Sequence, residues 1–233
     1  MALFSADTDY DHASYGVAWQ QALLANFRAG RWSLVADADE LLVWQHPQRQ
    51  TLPELVAGAE FEAAEAARVF MLDMYPQGPL AEADFASGDP FEEAGFVDRV
   101  PFRADWPGHG LYSEAPSWTS ALRHRLIPGA RSDLFLAQKI ALLRYRPWMR
   151  LSAGLHCVAD ARLARRELIF GHFKYNADFH RKARAEVARR QHFNDAEEYR
   201  RYLALAAEGR DVIFDPAVSV PWTQCAFVRR RLR

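Results

Sequence analysis

Cysteine is nearly absent from this sequence. Cys157 and Cys225 are the only two in 233 residues, too few for a disulfide framework. They fit a reducing cytoplasm, where a cysteine acts as a small buried hydrophobe. Long apolar runs are missing as well. None approaches the ~20 residues of a membrane-spanning helix, and no basic-then-apolar leader opens the chain. The expectation is a cytoplasmic protein that is soluble, or at most membrane-peripheral, with no transmembrane segment. Net charge is also nearly absent, at −1, and nucleic acid is not among the expected partners. No internal repeat appears.

What is present is a packed globule's composition. Half the residues are hydrophobic, with seven Trp and fifteen Phe, which argues against disorder. At this length a single domain over residues 1–233 is the default. The near-zero charge conceals an asymmetry. Residues 1–100 hold 17 acidic and 5 basic side chains, and residues 101–233 hold 13 acidic and 24 basic. Either the basic half faces an anionic ligand or lipid, or the two halves complement each other across the fold.

The segment Trp32-Ser33-Leu34-Val35-Ala36-Asp37-Ala38-Asp39-Glu40-Leu41-Leu42-Val43 carries the most chemistry. An apolar run gives way to three carboxylates within four positions and then resumes. A strand with Trp32, Leu34 and Val35 in the core would deliver Asp37 and Asp39 to its carboxyl end. Period-two geometry puts both on one side. Two carboxylates so close call for a cation, and hard oxygen ligands suit Mg²⁺ or Mn²⁺, ions that accompany phosphates. Open α/β sheets bind ligands at such strand ends. The alternative reading of Asp-x-Asp is a solvated turn.

Further along, Ser14 to Arg28 reads as a helix, with Trp19, Leu23 and Phe27 every fourth residue and Gly30 placed to end it. The first dozen residues read as poorly anchored. Thr51-x-x-Glu54 with Pro53 reads as a capping box, and Val69 to Tyr75 as a strand. Residues 76–116 form a long loop. Strands are expected at Trp118–Ile127, Leu134–Tyr145, Gly154–Val158 and Glu167–Lys174. A basic helix follows at Asp178–Arg190, then another capped by Asn194-x-x-Glu197. Arg229 to Arg233 reads as a solvated tail. Strand–helix alternation followed by late helices indicates an α/β domain, helical from 176 to 233.

Five segments together resemble a branch of the family 2-type glycosyltransferases of GT-A fold. They are Trp32-x-Leu-x-x-Asp-Ala-Asp-Glu-Leu-Leu42, Met71-Leu-Asp-Met-Tyr-Pro76, Lys139-Ile-Ala-Leu-Leu-Arg-Tyr145, Ser152-x-Gly154-x-His156 and His172-Phe-Lys-Tyr175. The resemblance spans about Gly16 to Tyr202. It implies a GT-A-like mixed sheet flanked by helices. It also implies metal-dependent sugar transfer from a nucleotide-diphosphate donor to a glycan or glycoconjugate acceptor. In that fold about two β-α units precede the acidic strand, whereas 36 residues precede Asp37 here. The expectation is an N-terminally shortened form, with a non-catalytic remnant that binds a partner or glycan as the alternative.

The same resemblance suggests roles. Asp39 would contact Mn²⁺ or Mg²⁺ directly. Asp37 would reach it through water or hold the donor ribose. Glu40 would orient Asp39 or be solvated. His172 would complete the metal or diphosphate site, with His156 as the substitute and a core histidine as the plain reading of each. Lys174 would pair with diphosphate or be surface charge. An inverting transfer needs a carboxylate base. Asp73, on an apolar strand where a carboxylate is costly unless used or paired, is the candidate, with pairing to an Arg as the alternative. Asp98, Glu114 and Asp133 are further candidates for the base. A phosphohydrolase using Asp37 and Asp39 would need a second acidic motif, and none appears.

Overall fold

The near-continuous apolar run from Ala66 to Leu72 suits a strand covered on both faces, and it becomes the middle of the main sheet. The computed structural model describes residues 1–44, 50–86, 88–106, 117–209 and 211–232. Helix α1 (Val17–Phe27) precedes strands β1 (Trp32–Leu34) and β2 (Glu40–Val43), helix α2 (Leu52–Ala57) and strand β3 (Ala66–Asp73). Then come α3 (Pro90–Glu93), β4 (Phe96–Asp98), β5 (Phe102–Trp106), β6 (Ser117–Ser120) and α4 (Ala121–Leu126). The second half holds β7 (Gln138–Arg144), β8 (Arg150–Leu151), β9 (Val158–Ala159), β10 (Leu168–His172), α5 (Phe179–Arg189), α6 (Phe193–Ala207), β11 (Ser219–Pro221) and α7 (Ala226–Arg231).

The main sheet is mixed and five-stranded, in the order β1-β7-β3-β10-β2. β3 pairs parallel with β10, while β7 runs antiparallel to both β1 and β3, and β2 antiparallel to β10. Hence β1, β3 and β10 share a direction and end at one edge. β7 and β2 begin at that edge. Side chains alternate across β3. Val69 and Met71 pack toward α2 with Leu55 and Phe61, and Phe70 and Leu72 pack toward α7 with Phe227 and Val228. Beyond the shared edge, α4, α5 and α6 close around Tyr75, Phe135, Tyr175, Phe179 and Tyr202.

Several expectations hold. α1, β3, β7, β10, α5 and α6 lie where the pattern puts them, and Thr51 and Glu54 form the reciprocal capping box of α2. Both cysteines are free and buried. No helix among the described residues is long and apolar enough to cross a membrane.

Other expectations are corrected. Leu34 is 37 % exposed, and Trp32 and Val35 are half-buried rather than core. β1 is an edge strand, and its outer side faces a groove of about 720 Å³ between α1 and α2 instead of another strand. The Trp19–Leu23–Phe27 stripe of α1 looks largely outward, since Val17 and Leu24 are its buried residues and Phe27 packs on Phe4. The strand expected over 118–127 stops at Ser120, whose hydroxyl accepts from the Arg123 backbone N–H and starts α4. Of the strand expected over Gly154–Val158 only Val158 is extended, as the start of β9; Ala153–Leu155 is a 3₁₀ turn in which Gly154 takes φ +62°. The loop over 76–116 contains α3, β4 and β5. Asn194 does not cap α6: His192 holds that position and Asn194 to Ala196 have positive φ. The basic tail is mostly α7, where Arg231 stacks on Phe227 at 3.5 Å and bonds Glu167 at 2.6 Å.

Phe70 is fully buried, with its ring centroid 5.1 Å from Phe102, 5.6 Å from Trp118 and 4.9 Å from Phe227. Phe70→Ala should cost about 3–5 kcal/mol of folding stability, measured by chemical denaturation.

Candidate functional site

The shared edge of the sheet gathers chemistry from all five strands. β1 runs out into Asp37 and Asp39, β3 ends on Asp73, β10 ends on His172, β2 starts with Glu40 and β7 starts with Gln138 and Lys139. His172 is in register with Asp73 on one side and with Glu40 on the other. The Phe173 N–H donates to the Asp39 carbonyl at 2.8 Å, which pins the acidic turn to the end of β10. A cleft of about 840 Å³ opens over this edge. Asp37, Asp39, Lys139, His156 and His172 form part of its floor, and Lys182 and Arg189 of α5 look in from the side.

Asp73 sits beneath the floor. Arg123 of α4 grips it with two hydrogen bonds, Nε to Oδ2 at 2.9 Å and Nη2 to Oδ1 at 2.8 Å. The Ser120 hydroxyl donates to Oδ2 at 2.5 Å. His172 Nδ1 lies 2.6 Å from Oδ1. Contact that short with a carboxylate oxygen requires a proton on Nδ1, which leaves Nε2 as the ring nitrogen turned toward Asp39. Burial raises the Asp73 carboxyl, but the Arg123 charge and the His172 hydrogen bond outweigh it and hold the group well below the usual carboxylate range. A carboxylate so held is a poor proton acceptor. The structure therefore realises the Arg-pairing alternative for Asp73, and its chemistry is to orient His172.

His172 and Asp39 meet across 133 positions of sequence. Nε2 stands 3.9 Å from Asp39 Oδ2. Burial raises the Asp39 carboxyl, but the neighbouring His172 and Lys182 bring it down to about 2. Lys182 Nζ lies 3.1 Å from the same oxygen. Asp37 lines the same cleft but is engaged differently: Lys139 Nζ reaches Asp37 Oδ2 at 2.6 Å and the buried Glu40 at 2.7 Å. Glu40 also accepts from the Asp37 N–H at 2.9 Å, so it is a buried brace of the turn rather than a solvated charge. Lys174 is neither surface charge nor free. It bonds Glu198 at 2.7 Å and lies 4.8 Å and 4.9 Å from the Tyr199 and Tyr202 ring centres. Burial lowers its pKa.

A divalent ion fits this site in part. A carboxylate–histidine pair with the far ring nitrogen held by a second carboxylate is the arrangement that presents imidazole to a metal. An ion about 2.0–2.2 Å from each ligand atom spans a gap like that between Asp39 and His172, once Lys182 yields its oxygen. Asp37, held with Glu40 by Lys139, does not join them. Among the described residues, the only three acidic or imidazole side chains close enough to share one ion are Asp9, Asp11 and His12, all exposed near the chain start.

The other candidate carboxylates are paired with arginines or lie outside the described residues. Asp98 is paired with Arg125 at 2.7 Å and accepts from the Tyr75 hydroxyl at 2.8 Å. Asp133 lines the cleft and pairs with Arg131. Glu114 lies outside the described residues. Comparison with known proteins gives no match: no family model, no curated protein and no solved structure resembles the chain significantly.

Sequence reasoning missed Arg123, Lys139, Lys182 and Glu198 as members of the site, and the aromatic wall above it. Tyr10 and Tyr15 line the cleft with His192, Phe193 and Tyr199. Tyr10 sits 6.0 Å from Tyr15 and 6.3 Å from His192, ring to ring, so the opening segment is tied to the α5–α6 junction. The one available signal was a buried-length apolar strand starting with Lys139, a charge that needs a partner.

Asp73→Asn should cost about 3–5 kcal/mol, because it leaves Arg123 buried without its counter-charge. The depressed carboxyl contributes stability in full above about pH 4, the range of an unfolded Asp. That contribution declines as pH falls toward the much lower folded value. Denaturation curves from pH 7 to pH 3 should therefore show the gap between wild type and variant begin to narrow below about pH 4 without closing by pH 3.

Proposed function

We propose that the protein is a metal-dependent glycosyltransferase, moving a sugar from a nucleotide-diphosphate donor to a glycan or glycoconjugate acceptor. The observation that carries this reading is the Asp73–His172–Asp39 line at the carboxyl edge of three co-directed strands. It presents an imidazole nitrogen and a carboxylate 3.9 Å apart to a cleft large enough for a nucleotide sugar. Bound there, Mn²⁺ or Mg²⁺ would offset the charge that grows on the departing diphosphate. Asp39 and His172 would hold it. Lys182, 46 % exposed on α5, would leave Asp39 for a phosphate oxygen, and Arg189 stands on the same wall of the cleft. The mixed five-stranded sheet supports a GT-A-like reading of the fold in its coarse features.

One observation favours the second reading, a GT-A-like remnant that binds a partner or glycan without catalysis. Asp37 and Asp39 each already have a lysine for a counter-ion. Calorimetry separates the two. With Mn²⁺ present, a nucleoside diphosphate should bind wild type, and Asp39→Asn and His172→Ala should each weaken it at least tenfold. Binding that is equal with and without Mn²⁺, and equal in all three proteins, would support the remnant.

A further inference from the structure

We propose that His156 is the hydrogen-bond acceptor for a substrate alcohol in this cleft. The proposal deepens the transferase reading and rests on it for the class of substrate. His156 Nδ1 lies 2.7 Å from the backbone carbonyl of Gln138, at the start of β7. A carbonyl only accepts, so Nδ1 must carry the proton and Nε2 must carry the lone pair. The Gln138 side-chain amide donates back to the His156 carbonyl at 3.2 Å, which clamps the residue from both sides.

Gly154 leaves the acceptor nitrogen uncovered. A Cβ at that position would stand 2.8 Å from Nε2, closer than any side chain tolerates, and the φ of +62° already favours glycine. Ser152, Gly154 and His156 all line the cleft. This accounts physically for the Ser-x-Gly-x-His spacing: the glycine is the opening through which the ring meets its ligand.

The surroundings select the ligand's chemistry. Burial, together with the charges of Lys139 and Arg123, outweighs the Gln138 hydrogen bond and nearby Asp37 and lowers the imidazole to about pKa 4, so it is neutral at physiological pH. Among the described residues, no group of three side chains close enough to share a metal ion includes His156. A phosphate group at neutral pH is anionic and largely deprotonated, so it meets a lone pair with charge rather than with a donor. A hydroxyl offers a donor, and it is uncharged. The ligand class is therefore a polyol, whether the ribose of a donor nucleotide or the hydroxyl of a sugar.

The test uses the full chain, calorimetry with Mn²⁺, and two kinds of probe. These are the common ribonucleoside diphosphates beside their 2′,3′-dideoxy counterparts, and methyl glycosides of common hexoses. Variants are His156→Met, which keeps bulk and loses the acceptor, and His156→Gln, which restores an acceptor near Nε2; thermal melts confirm that both fold. A ribose source predicts about tenfold weaker diphosphate binding by the Met variant. It also predicts partial rescue by Gln, and no difference among proteins for the dideoxy probe. A sugar source predicts the same pattern with a glycoside and none with the diphosphates. Long-range ¹H–¹⁵N spectra of wild type at pH 7 should show His156 Nε2 unprotonated. Equal binding of every probe by wild type and Met variant would overturn the proposal while leaving the transferase reading standing. Loss of diphosphate binding in wild type, with glycoside binding still dependent on His156, would overturn that reading and keep the proposal. A protonated Nε2, or no binding of any probe, would overturn the proposal.

Discussion

The buried pair between Asp73 and Arg123 is the constraint on which the cleft depends. Its two partners come from β3 and α4, fifty positions apart, and both are almost wholly withdrawn from solvent. A buried ion pair gains little net stability, because desolvating both charges offsets their attraction. What it supplies here is position. Asp73 sets the tautomer and direction of His172, and Arg123 extends to Glu198 of α6 at 3.8 Å. Glu198 in turn holds Lys174 and the Tyr202 hydroxyl, itself 2.8 Å from the Tyr175 hydroxyl. One connected network thus fixes the helical layer against the edge of the sheet. The groups facing the cleft stand on that network.

The lopsided charge of the chain finds its explanation in the same place. Acidic residues of the first half meet basic residues of the second: Asp37 and Glu40 with Lys139, Asp39 with Lys182, Asp73 with Arg123, Asp98 with Arg125, and Glu60 with Arg166. The halves complement each other across the fold. At the cleft this complementarity has a chemical consequence. The carboxylates lining the cavity already sit against lysine or arginine, so a cation arriving at Asp39 would exchange with Lys182 rather than fill an uncompensated acidic site.

How much of this was legible in the residues divides along a physical line. The switch from apolar to acidic at Asp37–Asp39 marked the end of a strand because polarity is a local property, but the period-two placement failed: β1 stops at Leu34 and the pair sits on the turn into β2. His172 was legible for the same reason, at the end of an apolar strand. Thr51 and Glu54 were legible because a capping box is complete within four residues. The partners were not. Nothing in the sequence around Lys139 states that it will meet Glu40, and nothing near Arg123 points to Asp73, since those contacts exist only once β7 and α4 are placed. The strand expected through Arg123 failed because one Ser120 hydroxyl turns the backbone into α4. Leu34 failed because a strand's position at the edge of a sheet is decided by the other strands.

The account stands or falls on where a divalent cation binds. The most direct measurement is a crystal structure of the protein grown with Mn²⁺ and a nucleoside diphosphate, with an anomalous difference map at the manganese edge. The account predicts a peak between the Asp39 carboxylate and His172 Nε2, the diphosphate against it, and Lys182 withdrawn from Asp39. A map with no peak in the cleft, or with manganese only at the solvated Asp9–Asp11–His12 cluster, would contradict it.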